Sequence, residues 1–147
     1  MLAMAPETGY GEAGSPVRAP ELPGYPWSVR LAGPGSACPA LEIYEGGDLI
    51  DIVSSTRIAV RHLRGARTAA GYAGPRVLAW GRMPATGTCP EVEFGARRRR
   101  GGVQAASVIA IVSWCWVALA EGSFATVTVR APAAVLRQRV AGGRPWC

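Results

Sequence analysis

The chain has 147 residues, 49% of them apolar and 18% charged, a balance that fits a folded domain rather than a disordered chain. Its net charge of +6 is carried by arginine alone; with no lysine, a Walker A phosphate loop, a Schiff-base lysine and a Ser-x-x-Lys nucleophile are all excluded. The 19 glycines and 12 prolines favour many short elements over a few long helices.

Residues 1–26 are rich in Pro, Gly and Glu and poor in apolar residues, and are expected to form a flexible arm. The start, MLAMAPETGYGEAGSP, has neither a basic nor an apolar signal region, so no secretory signal is expected and a chain starting there would be cytoplasmic. GYGEAG (9–14) fits G-x-G-x-x-G in letters only. A dinucleotide site needs a strand before it and a helix after it, and the flanking prolines supply neither.

From Trp27 the pattern becomes that of strands, and 27–147 is read as one domain. WSVRL (27–31) is a first short strand. ALEIYE (40–45) alternates, GGD is a turn, and LIDIVS (49–54) returns, which together make a hairpin. The stretch 56–71, TRIAVRHLRGARTAAG, could be a helix with Arg57, Arg61 and Arg64 on one stripe. Its β-branched start and the break at Gly65 favour a strand that runs into a loop. VLAWG (77–81), EVEF (91–94), ATVTVR (125–130) and VLRQRV (135–140) follow. Short strands with frequent turns predict a mainly β, antiparallel, sandwich-like (immunoglobulin-like) domain.

Residues 103–120, VQAASVIAIVSWCWVALA, contain no charge and follow Arg97–Arg100. They admit a single membrane span with a basic cytoplasmic flank. The polar residues Gln104, Ser107 and Ser113, the two tryptophans and the arginines on the far side favour the alternative. In it, SVIAIV (107–112) and WVALA (116–120) are central strands buried on both faces. Membrane contact, where there is any, would be through 103–120.

The blocks RVLAWGRMPA (76–85), EVEF (91–94), WVALAEGSFATVTVRA (116–131) and VLRQRV (135–140) resemble the C-terminal β-domain of small actinobacterial envelope-associated proteins of unknown function. The likeness covers about 65 residues of the second half. The chain departs from that pattern where ARRRRGG follows Phe94 and where Ala131-Pro132 replaces an acidic turn. The resemblance implies a sandwich-like tail exposed at the cell envelope and no known activity.

Few residues suggest chemistry. Cys38, Cys89, Cys115 and Cys147 include no Cys-x-x-Cys, and His62 is the only histidine, so no metal and no cofactor are expected. Cys38 and Cys89 each precede Pro in loop-like sequence and are the candidate disulfide; Cys115, between two tryptophans, is expected as a small buried hydrophobe. His62 lies among arginines with no nucleophile marked for it. Glu42, Glu45, Asp48 and Asp51 flank the hairpin turn without EF-hand spacing and are expected to be solvated. Arg57, Arg61, Arg64, Arg67 and Arg97, Arg98, Arg99, Arg100 are the candidate anion-binding face, for another protein, a nucleic acid or another anionic polymer. The leading expectation is a non-catalytic binding or structural module; an arginine-rich binder of nucleic acid or anionic surfaces comes second, a single-span membrane protein third.

Overall fold

The runs VLAWGR and CWVALA are apolar at nearly every position, as is expected of strands covered on both faces. The computed structural model, which describes residues 26–33, 35–56, 61–71, 74–96 and 102–142, places them in that position. The chain is mainly β and sandwich-like, with β1 Trp27–Ala32, β2 Ala40–Glu45, β3 Asp48–Ser54, β4 Gly65–Gly71, β5 Gly74–Arg82, β6 Glu91–Gly95, β7 Val103–Ala105, β8 Ser107–Val112, β9 Cys115–Glu121, β10 Thr126–Ala131, β11 Ala134–Arg139 and β12 Ala141–Gly142. Three sheets form, ordered β1-β2-β3, β11-β10-β6-β7 and β12-β4-β5-β9-β8.

The five-stranded sheet is the middle layer. Its neighbours β5 and β9 pair with Ala79 opposite Ala118 and Trp80 opposite Val117. Because side chains alternate across a strand, Val77, Ala79, Trp116, Ala118 and Ala120 face one way. They pack with Val92, Phe94, Val127 and Val129 of the four-stranded sheet. Leu78, Trp80, Cys115 and Val117 face the other way and pack with Trp27, Val29, Leu41, Ile43 and Val53 of the three-stranded sheet. Two cores thus share one central sheet.

The middle and four-stranded sheets are joined along both margins. Only Ala106 separates β7 in one from β8 in the other, and its N–H donates to the Val92 carbonyl at 2.9 Å. On the opposite margin only Val140 separates β11 from β12, and its N–H donates to the Ala125 carbonyl at 2.9 Å. These strands turn the corner between sheets and leave the pair closed like a flattened barrel. β12 is the weaker join, since just Ala141 and Gly142 pair with β4, in parallel.

The hairpin of β2 and β3 turns through Gly46 and Gly47, both with positive φ (58° and 89°), as a primed two-residue turn needs. Two strand expectations are corrected. Gly65 does not break a strand; it opens β4 opposite Trp80, and a Cβ there would lie 2.4 Å from the Trp80 ring. The stretch 107–112 is a strand, but a marginal one paired with β9 alone, and Ile109 is 45% exposed. The turn from β8 to β9 has no Gly or Pro. Ser113 and Trp114 make it without positive φ, and a register shift between Ala110 and Val112 takes up the twist.

Residues 103–120 are strands β7, β8 and most of β9, so the single-span reading does not hold: among the described residues no helix is long and apolar enough to cross a membrane. The stretch fits strands because its polar residues, Gln104, Ser107 and Ser113, stay at the exposed margin while Trp116 to Ala118 enter the core. The arm 1–25, the segment holding Ile58 and Val60, and the four-arginine run lie outside the described residues.

Candidate functional site

The arginines predicted to form an anion-binding face divide. Arg57, Arg97, Arg98, Arg99 and Arg100 lie outside the described residues. Arg64 is turned inward: its Nε and Nη2 donate to Asp51 Oδ2 and Oδ1, each at 2.9 Å. Arg67 pairs with Glu45 at 3.5 Å. Both tie the three-stranded sheet to the middle layer. Of the three that are described only Arg61 is exposed, at the lip of a hollow shared with Ile50, Asp51, Arg64 and Trp80.

Asp51 is the centre of that contact. Besides the Arg64 fork it accepts from Trp80 Nε1 at 2.7 Å and from the Ile52 N–H at 2.9 Å. Burial by itself would raise its carboxyl; the Arg64 and Trp80 bonds, the Arg64 charge and the Ile52 N–H outweigh burial and hold it below the usual carboxylate range. Arg64 is raised in turn by its bonds to Asp51. Glu45 accepts from Trp27 Nε1 at 2.9 Å. The carboxylates expected to be solvated at the hairpin end are therefore corrected for two of four: Asp51 and Glu45 side chains are 19% and 13% exposed. Glu42 accepts from the Tyr44 hydroxyl at 2.7 Å.

Arg82, 8% exposed, fastens the other end of the same sheet. Its Nη1 donates to the carbonyls of Ser54 and Thr56, both at 2.5 Å, and its Nη2 to that of Ser55 at 3.3 Å. The Trp116 indole N–H bridges the carbonyls of His62 at 2.9 Å and Arg82 at 3.1 Å. His62 thus contributes its backbone to the core, and its ring Nδ1 is buried with no hydrogen-bond partner among the described residues.

The candidate disulfide is also corrected. Cys38 and Cys89 are exposed free thiols. They sit on different loops, one before β2 of the three-stranded sheet and one before β6 of the four-stranded sheet. Cys115 is sealed in the core, where burial pushes its thiol up to about 12. Among the described residues no group of three His, Cys, Asp or Glu side chains could hold a metal ion.

Exposed arginines also line an opening elsewhere. A cleft of about 690 Å³ lies at the weak margin where β12 meets β4. Thr68, Ser123, Phe124, Thr126, Arg137 and Arg139 line it, with Val140 and Ala125 adding apolar surface. Its size suits a small organic ligand. Among the described residues neither Arg137 nor Arg139 has an ion-pair partner. The alternation of VLRQRV does put both arginines on the face opposite Leu136, but the sequence carries no sign that β11 borders an opening. No protein-family model, no curated protein and no solved structure matches the chain.

Proposed function

We propose that the chain is a non-catalytic β-sandwich-like module that acts by holding a small anionic ligand in the cleft of Arg137, Arg139 and Phe124. The observation that carries this reading is the pair of guanidinium groups, without an ion-pair partner among the described residues, beside an indentation that is part hydroxyl and part apolar. The charges bonded between the sheets support it by contrast. Asp51, Arg64 and Arg82 are all bonded into the joint between sheets, and the Cys115 thiol is buried and protonated. The resemblance of the blocks between 76 and 140 to tails of small actinobacterial envelope proteins is the ground for placing such a module at a cell envelope.

The test is thermal unfolding of the purified chain with benzoate, phenyl sulfate and phenyl phosphate, against neutral benzyl alcohol. A ligand at a hundred times its Kd stabilises the folded chain by about 2.7 kcal/mol. The expected result is a higher Tm with one or more of the anions, none with benzyl alcohol, and no response in the R137Q/R139Q double variant. Both positions are exposed, so this variant should fold with a change in stability of about 0.5 kcal/mol or less. No anion response in the parent chain, or an equal response in the variant, would overturn the reading.

A further inference from the structure

We infer that the charged group held in this cleft is a phosphate monoester carried on a flat apolar body; the inference rests on the reading of the cleft as an anion site and specifies its ligand.

The charge comes first. Arg137 and Arg139 are two positions apart on one strand, so they project from the same face with Cα atoms about 7 Å apart. Each is a planar fork with a permanent charge, suited to tetrahedral or planar oxyanions. Two such forks match a dianion better than a carboxylate or a sulfate ester, which carry one charge. Among the described residues no Asp or Glu lines the cleft. In the strand register Arg137 lies beside Thr128 and Thr128 beside Glu93, so the nearest carboxylate on that row is two strands away. It is also already engaged, by Arg130 at 2.6 Å.

The hydroxyls come next. Thr126 pairs in register with Arg139 on one side and with Gly95 on the other. Gly95 leaves its side-chain space to Thr126: a Cβ there would lie 2.5 Å from Thr126 Oγ1. Thr68 already donates to the Arg76 carbonyl at 3.1 Å and can only accept. Thr126 and Ser123 have no partner among the described residues, so their hydroxyls remain as donors. Two guanidinium forks and two hydroxyls supply enough donors for the three terminal oxygens of a phosphate monoester.

The apolar body is read from Phe124. Its ring leans on Phe94 with centroids 5.7 Å apart at 36°, a contact that holds it in place, and it lines the cleft. Gly122, at φ 131°, gives it room, since a Cβ there would stand 2.9 Å from the ring. A flat ring on the ligand stacks on such a wall, and Val140 and Ala125 extend it.

Calorimetric titration at pH 8, where a phosphate monoester is fully dianionic, tests this with phenyl phosphate, phenyl sulfate, benzoate and inorganic phosphate. The expected result is phenyl phosphate binding at least about ten-fold tighter than each of the other three, worth about 1.4 kcal/mol. Arg137→Gln and Arg139→Gln should each weaken it by a similar factor. Phe124→Leu should remove the advantage of phenyl phosphate over inorganic phosphate while inorganic phosphate still binds. Equal affinity for the three aryl anions would overturn the phosphate assignment and leave the anion-binding module standing. Equal affinity for phenyl phosphate and inorganic phosphate would overturn the apolar body. Binding of none of the four would remove both readings together.

Discussion

Asp51 and Arg64 meet in a two-bond fork, 2.9 Å on each arm, between an edge strand of the three-stranded sheet and the segment that leads into β4 of the middle sheet. The Trp80 indole closes a third side at 2.7 Å. One carboxylate thus ties β3 to two parts of the middle layer, and its removal leaves a partly buried guanidinium without its counter-charge.

Asp51→Asn should therefore destabilise the chain by about 2 kcal/mol at pH 7, the scale of a hydrogen bond to a charged group. Urea unfolding measures it. The pH dependence has a definite sign. The folded carboxyl binds its proton less tightly than the unfolded one, so the contribution is complete above the unfolded value of about 4 and fades as pH falls below it. The gap between parent and variant should shrink between pH 4 and the lower folded value. A gap that stays constant through that range would mean the ion pair contributes nothing.

Cys115 gives the opposite limb. Its thiol is held up to about 12 by burial, while an unfolded thiol loses its proton near 8.5. Between those values the folded state keeps a proton that the unfolded state has lost. Stability should then fall by about 1.4 kcal/mol for each pH unit, and Cys115→Ala should flatten that limb. A thiol reagent should label Cys38 and Cys89 in the folded chain and reach Cys115 only on unfolding.

Gly81 is where backbone closeness can be tested. It pairs with Trp116, and a Cβ on it would fall 1.9 Å from the His62 carbonyl that the Trp116 indole binds. Gly81→Ala should cost about 3 kcal/mol, because the crossing segment must move and loses that bond. Gly102→Ala, where a Cβ meets nothing within 4 Å, should be close to neutral. Equal effects at the two sites would contradict the packing described for Gly81.

Much of the fold was legible because most strands declare themselves locally. ALEIYE and SVIAIV fall on β2 and β8 with the bounds that their patterns suggest. What was not legible depended on distant partners. Gly65 reads as a break because glycine usually marks one; here it makes space for Trp80, 15 positions on. Arg64 and Arg67 read as free charge because Asp51 and Glu45 belong to another sheet. One signal was available: Asp51 stands between Ile50 and Ile52 in an apolar run, where a carboxylate needs a cation. The cleft at Arg137 and Arg139 follows from sheet order, which no local pattern encodes.

The central claim is that Arg137 and Arg139 act together on one anion. The most direct measurement is the arginine Nε–Hε NMR spectrum of the labelled chain during titration with phenyl phosphate, assigned through R137Q and R139Q. The account predicts that the signals of Arg137 and Arg139 move together, with one shared Kd, while those of Arg64 and Arg82 stay fixed. Shifts centred on Arg61 or spread over many arginines, or no shift at Arg137 and Arg139, would contradict it.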